Sequence, residues 1–283
     1  MVAIDNNETG KVRIGLFGAA GRMGGAIIRE ASVFPGAVIS AAYEYAASPH
    51  VGKDVGIVAG TEKINLSILT DDAPPDPATV DCLLDFSLPE PAATHADQAA
   101  AAGIPIVIGA TGFSDQDLDR IVGAAEKTLV LRSGNMSLGV NLLARLVERA
   151  ASALSLTDFD IEIVERHHSL KVDSPSGTAL LLADAVDKGR QSKSTRVTDS
   201  RAGDREQGSV GFSVSRGGGV VGDHSVAFIG AREMLELNHR ALDRSLFARG
   251  ALEASVWACR KWQDSATPGL FGMGDVIDSL IET

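Results

Sequence analysis

The sequence predicts an α/β protein in which a parallel sheet, buried on both faces, is followed by an α+β segment with a mixed or antiparallel sheet. Three observations carry that expectation. Through the first half, short apolar runs alternate with helical patterns, as strands covered on both faces require. After residue 209, apolar residues recur at every second position around a glycine-rich turn, marking strands with one buried face. The 283 residues accommodate about two domains at roughly 100–200 residues each.

Val12–Phe17 is the first expected strand. The glycine loop 18–24 follows, then a helix with Met23, Ile27, Ile28 and Ala31 apolar, stopped by Pro35 and Gly36. Residues 37–43 form a second strand, 46–63 a loop, and 65–69 a third strand. The stretch 71–78, with three prolines and three aspartates, is a solvated loop. Residues 80–86 read as a buried strand, and Pro89 opens a helix to Ala102, since proline is tolerated in a first turn. Residues 104–108 are a further strand. Ser114 caps a helix to about Lys127, with Asp115, Asp117 and Asp119 near its positive end, and 129–131 form the sixth strand.

A helix over 138–154 leads into the second half. A strand over 159–164 and a helix over 175–188 follow. Val210, Phe212 and Val214 then alternate with small polar residues. Residues 216–219 turn the chain, and Val226, Phe228, Leu235 and Leu237 keep the two-residue period. This pattern predicts an antiparallel meander. A helix over 244–262 and a tail over 269–280 end the chain.

Composition narrows the function classes. The formal net charge is −11, from 26 basic and 37 acidic residues. That excludes broad binding to nucleic acid or an anionic membrane, both of which need basic surface. Two cysteines, Cys82 and Cys259, make no disulfide framework and suit a reducing cytoplasm. Residues 1–11 are polar, without a signal-peptide core, and no apolar run is long enough to span a bilayer. The charge is uneven: residues 1–137 carry −8 and residues 138–246 only −1, so the middle segment is the better place to meet an anion.

Gly18, Ala19, Ala20, Gly21, Arg22, Met23 and Gly24 lie between a strand and a helix. Gly18 permits a tight turn, Gly21 close approach to a pyrophosphate, and Gly24 close helix–strand packing. The helix start adds unpaired amides and a positive dipole end. The spacing is G-x-x-G-x-x-G. Together these features point to a Rossmann-like dinucleotide-binding domain. Glu44, at the end of the second strand, is placed to accept from adenosine ribose hydroxyls, while Arg22 could pair with a 2′-phosphate. The residues leave NADH and NADPH both open. Phe86, the trio Gly109, Thr111 and Gly112, and the pair Asn135 and Met136 lie on three further loops at carboxyl ends of strands, where such sheets bind ligands.

The chemistry concentrates at 162–178. His167 and His168 are adjacent at a strand end, where neighbouring side chains point to opposite faces. With no cysteine or further histidine close in sequence, a metal site is not expected. Ser174 is expected to cap a helix with Pro175 in its first turn. Ser176, Gly177 and Thr178 then present amides and hydroxyls as a carboxylate or phosphate cradle. Lys171 adds positive charge, and the histidines a group titrating near neutral pH. Set across a cleft from a hydride donor, these groups suit a reductase acting on a carboxylate-bearing imine or carbonyl.

Glu165, His167, His168, Lys171, Asp173, Pro175, Ser176, Gly177, Thr178 and Ala179 together closely resemble the signature of the dihydrodipicolinate (4-hydroxy-tetrahydrodipicolinate) reductase family of lysine biosynthesis. The loop at 18–24, the nicotinamide-side loops at 109–112 and 135–137, and residues 208–211, 216–217 and 222–224 fit the family in order along nearly the whole chain. The resemblance implies a dinucleotide-binding domain over 1–137 completed by 247–283. It implies a substrate-binding and tetramerisation domain over 138–246, and a cytoplasmic homotetramer. It also implies reduction of 4-hydroxy-2,3,4,5-tetrahydrodipicolinate, with release of water, in a closed cleft hinged near 134–138 and 240–247. By resemblance, His167 is the proton donor or acceptor and Lys171 binds and polarises the substrate. His168 binds substrate, Gly177 and Thr178 hold a carboxylate, Glu44 binds ribose, and Arg22 lies near the 2′-phosphate.

Tyr45 stands where well-known members carry an arginine for the 2′-phosphate, and Leu88 where some carry a basic residue. Both departures predict use of NADPH and NADH alike. Two rivals stand beside this reading. Another oxidoreductase with an α+β second domain would not need the His-His-Lys run beside a Ser-Gly-Thr cradle. A non-catalytic redox sensor would often carry a DNA-binding or partner module.

Overall fold

The computed structural model describes residues 10–72, 75–198 and 203–282. The polar start of the chain and the middle of the 71–78 loop lie outside them. Residues up to Ser137 together with those from Ser245 onward form one compact unit, and Leu138–Arg244 form a second.

The first unit opens with β1 (Val12–Phe17), α1 (Arg22–Ala31) and β2 (Ala37–Glu44). The expected loop at 46–63 contains one helical turn, α2 (Val55–Val58), because Asp54 caps it by accepting from the Gly56 and Ile57 amides. The third strand is shorter and later than expected: β3 is Leu69–Thr70, and Ser67 makes only an isolated bridge to Asp54. Next come β4 (Cys82–Asp85), α3 (Pro89–Ala102), β5 (Ile106–Ile108), α4 (Asp115–Ala125) and β6 (Leu129–Arg132). Proline at its start and Gly103 at φ 66° just past its end bound α3. Ser114 and Asp117 form a reciprocal capping box on α4. Every residue of β4 and β5 is buried, as strands covered on both faces must be.

The second unit contains α5 (Leu138–Ala153), β7 (Phe159–His167), α6 (Gly177–Arg190), β8 (Arg196–Val197), β9 (Val210–Arg216), β10 (Gly222–Gly230) and β11 (Met234–Ala241). Its sheet runs β11-β10-β7-β9-β8. The expected meander is corrected here. Strand β7 sits between β9 and β10, parallel to the first and antiparallel to the second, so only β10 and β11 form a hairpin and the sheet is mixed. Ile161 and Ile163 of β7, Val210 and Phe212 of β9, and Val226 and Phe228 of β10 share one face. They pack against Leu143 and Val147 of α5 and Leu182 and Val186 of α6.

The chain then returns to the first unit with α7 (Ser245–Ser265), β12 (Gly269–Phe271) and α8 (Met273–Ile281). The expected tail is therefore a strand and a helix. Strand β12 pairs with β6, giving an all-parallel sheet of order β12-β6-β5-β4-β1-β2-β3. Among the described residues no helix is long and apolar enough to cross a membrane.

Candidate active site

In the first unit the strand order reverses between β1 and β4, so the loops leaving their carboxyl ends flank the switch point where open α/β sheets receive ligands. Gly18 takes φ 72°, and a Cβ on it would lie 2.8 Å from the Phe86 carbonyl oxygen. A Cβ on Gly24 would lie 2.2 Å from the Gly18 oxygen. Only glycine allows strand, turn and helix to approach this closely. Gly21 precedes α1 and supplies no side-chain cap, so it leaves the first-turn amides of the helix without a side-chain acceptor. Ala19 is buried, and the Ala20 amide donates to Glu44 Oε1 at 2.9 Å. Glu44 is therefore fixed to the glycine loop through one carboxylate oxygen. The Phe86 ring covers Gly109, where a Cβ would meet it at 2.3 Å. Thr111 and Gly112 are exposed after β5. Asn135 Oδ1 accepts from the Ser137 amide at 2.9 Å beside the buried Met136. A cradle that any Cβ would fill, an open helix start and an acid at the second strand end fit a dinucleotide.

In the second unit, Glu165 and His167 continue the apolar face of Ile161 and Ile163, because alternate residues of a strand share a face. That face turns polar where it reaches the start of α6. The strand registers supply the rest: His224 of β10 lies opposite Glu165, and Arg216 of β9 opposite His167. The Glu165 carboxylate is fully buried. Its Oε1 accepts from the Ser176 amide at 2.9 Å and from the Arg216 guanidinium at 3.1 Å. Oε2 lies 2.9 Å from His167 Nδ1, too bent for a full hydrogen bond, and 3.8 Å from His224 Nε2. Burial works against the Glu165 charge, but the Ser176 hydroxyl and amide and the Arg216 guanidinium outweigh it and hold the carboxyl below its usual range. Burial pushes the His167 imidazole down, against the pull of Glu165, with Lys171 and Arg216 adding to the fall. His224 is pushed down to about 4, first by burial and then by His167.

Sequence and structure place the α6 cradle differently. The N-cap is Ser176, not Ser174, and Gly177 is the first helical residue. Ser176 Oγ accepts from the Ala179 amide at 3.1 Å and lies 3.2 Å from His224 Nε2. The side chain expected beside a ligand is thus buried, and Gly177 and Thr178 form the accessible edge. Lys171 Nζ is 2.8 Å from Asp173 Oδ1, and that ammonium holds the Asp173 carboxyl below its usual range. His168 accepts at Nε2 from Arg244 at 3.0 Å, since arginine only donates.

Sequence reasoning gave no role to Arg216, His224 or Arg244. The expectation that no further histidine joins His167 is corrected: Glu165, His167 and His224 bring three potential ligand atoms within 4.8 Å of one another. The Arg216 guanidinium on the same carboxylate already supplies a positive charge there. The signal was present in the sequence. Two steps back along the Val226–Phe228 period reach His224, and two steps on from Val214 reach Arg216.

A glycine-loop α/β unit and a second unit bearing an imidazole, an amine and the accessible first turn of a helix define a nicotinamide-dependent oxidoreductase. Residues 12–136 match the family described as dihydrodipicolinate reductase, N-terminus, and residues 139–277 the corresponding C-terminus. The chain belongs to the dihydrodipicolinate reductase family. It is 50% identical to 4-hydroxy-tetrahydrodipicolinate reductase 1 of Mesorhizobium japonicum, covering 96% of this chain and 98% of that one. It is 48% identical to the 4-hydroxy-tetrahydrodipicolinate reductase of Brucella abortus, over 92% of this chain and 96% of the relative. Among solved structures, a dipicolinate-bound dihydrodipicolinate reductase from Paenisporosarcina sp. TG-14 shares the fold. Its TM-score is 0.72 at 20% identity, over 94% of this chain and 99% of that one. GenD2 from gentamicin A biosynthesis, in complex with NAD, has a TM-score of 0.59 at 15% identity, over 98% of this chain and 93% of that one.

Proposed function

We propose that this chain reduces 4-hydroxy-2,3,4,5-tetrahydrodipicolinate to 2,3,4,5-tetrahydrodipicolinate with NADPH or NADH in the diaminopimelate route to lysine. The substrate ring gains a hydride and loses its hydroxyl, which takes up one proton and leaves as water. The observation that carries the reading is the Glu165–His167–Arg216–His224 cluster set against the first turn of α6. The bound dinucleotide supplies the hydride. The glycine loop and the α1 amides hold its phosphates, and Glu44 takes the ribose through the carboxylate oxygen that Ala20 leaves open.

Gly177 and Thr178 hold one substrate carboxylate at the positive end of α6. Lys171 polarises the ring, and His168 binds beside it. His167 moves the proton at Nε2, because Nδ1 faces the buried Glu165 carboxylate. A buried charge placed before the reaction begins stabilises developing charge without reorganisation. The test is oxidation of each reduced nicotinamide, followed by absorbance, with substrate generated in place from pyruvate and aspartate semialdehyde. Turnover with both cofactors is expected, because Tyr45 is 56% exposed and offers no guanidinium to a 2′-phosphate. A preference for NADPH of about a hundredfold, some 2.7 kcal/mol, would sink the dual-cofactor part of the reading, and no turnover would sink the whole.

The same reading includes a homotetramer built through the second unit, in a cytoplasmic enzyme. Helices α5 and α6 cover one face of its sheet. The other face carries Arg166, Asp223, Glu236 and Arg240, with Ile229 and Met234 exposed at one end. Among the described residues no helix of the second unit covers that face, which supports assembly through a second copy. Sedimentation equilibrium should give four chains per particle, and a monomer at micromolar concentration contradicts it.

A further inference from the structure

His95 is a buried titratable group that the reaction above does not use. It sits on α3 with its side chain 3% exposed, and its Nδ1 is 2.6 Å from Asp85 Oδ2. Asp85, fully buried at the end of β4, accepts through its other oxygen from the Ser87 amide at 2.7 Å and the Ser87 hydroxyl at 2.6 Å. On the far side of the ring, His95 Nε2 lies 3.6 Å from Asp71 Oδ2. The Asp71 amide in turn donates to the Glu44 carbonyl at 2.9 Å. The imidazole also stacks on Phe17, centroids 3.8 Å apart and planes 11° apart, and Phe17 stacks on Tyr43 at 4.6 Å.

These neighbours adjoin three parts of the dinucleotide cradle. Phe17 precedes Gly18, Tyr43 precedes Glu44, Asp71 supports the Glu44 backbone, and Asp85 with Ser87 brackets Phe86. The ring therefore meets Phe17 and Asp85 directly and lies 3.6 Å from Asp71, and through these three it reaches the glycine loop, the Phe86 loop and the Glu44 segment. A buried carboxylate without its hydrogen-bonding partners is costly, so Asp85 constrains where His95 and Ser87 can sit.

From this geometry we infer that His95 is the positioning residue of the dinucleotide site, fixing three of its loops without touching the ligand. The inference rests on the dinucleotide-binding part of the proposed function. Its test is binding of NADH and NADPH to the full chain, without substrate, by quenching of protein fluorescence. His95→Phe keeps the stacking on Phe17 and removes both polar arms. It should raise Kd for both cofactors about tenfold, because small displacements of a preorganised site are amplified in affinity. The KM of the dicarboxylate substrate should stay within about twofold. His95→Asn, which restores a donor toward Asp85, should recover part of the loss.

An unchanged Kd in folded His95→Phe overturns the proposal. So does an equal loss in dicarboxylate KM, which would mean general damage. If His95→Phe does not fold, Asp71→Ala decides, because that side chain is 22% exposed and its removal is tolerable. A Kd raised about threefold sustains the proposal, and no change overturns it. A wild-type chain that binds NADH yet does not oxidise it with the hydroxylated ring refutes the reductase reading and leaves this comparison intact.

Discussion

His167 has two nitrogens with different surroundings, and that difference assigns its work. Nδ1 faces the buried Glu165 carboxylate at 2.9 Å. Nε2 opens toward Gly222, where even a Cβ would come within 3.1 Å. The carboxylate favours the imidazolium while burial, Lys171 and Arg216 disfavour it. Glu165→Gln removes the favourable charge and lowers the His167 pKa further, so the alkaline limb of the kcat–pH profile, where a proton donor is lost, should move to lower pH. The same change should lower kcat by about a hundredfold through loss of tautomer control. His167→Gln and Lys171→Ala should lower kcat by roughly 10²–10⁴-fold and leave dinucleotide Kd nearly unchanged. Near-normal turnover in both variants would remove these residues from the chemistry. An unmoved profile in Glu165→Gln would remove the carboxylate from control of His167.

At the scale of elements, the strands and helices of the first unit were largely legible, because buried parallel strands are short apolar runs with nothing else to be. Those at 12–17, 82–85 and 106–108 fall inside the runs that announced them. The start of α6 was less legible. In Ser174-Pro175-Ser176-Gly177 both serines are good N-caps by type. The choice falls to Ser176 because its amide is gripped by Glu165, 11 positions earlier, a contact no local pattern contains. The α1 start was legible because its reason is steric and local. Gly24→Ala would push a methyl to 2.2 Å from the Gly18 oxygen, against backbone that cannot yield as a flexible side chain does. It should destabilise the fold by about 1–3 kcal/mol and lower Tm by several degrees. Gly222→Ala presses on a side chain instead. It should leave Tm within a degree or two and lower kcat/KM about tenfold by crowding His167 Nε2. A Tm loss in Gly222→Ala matching that of Gly24→Ala would show that both glycines serve packing alone.

For the whole molecule, the order of strands in the second sheet was the least legible feature. The two-residue period announces each strand, but β7 is separated by a helix and a long connection from the β9 and β10 it divides. Nothing in the period says which neighbours it takes; packing of α5 and α6 on one continuous apolar face decides it. That arrangement also buries His224 as a neutral ring, which makes stability depend on pH. Its folded pKa of about 4 lies below the ordinary value near 6.5. Between those values the unfolded chain binds more protons than the folded one. Stability therefore rises with pH through the window and is lost as pH falls from about 6.5 toward 4. At pH 5 the loss from this one group is about 2 kcal/mol. Glu165 acts separately, because a depressed carboxyl loses its contribution only as pH falls below its ordinary range. His224→Gln keeps a polar side chain near Ser176 and removes the titration. Its Tm should therefore fall less between pH 7 and pH 5 than the wild type's, though not to zero, since His167 shifts in the same direction. Equal falls in the two proteins would place the acid sensitivity outside this buried cluster.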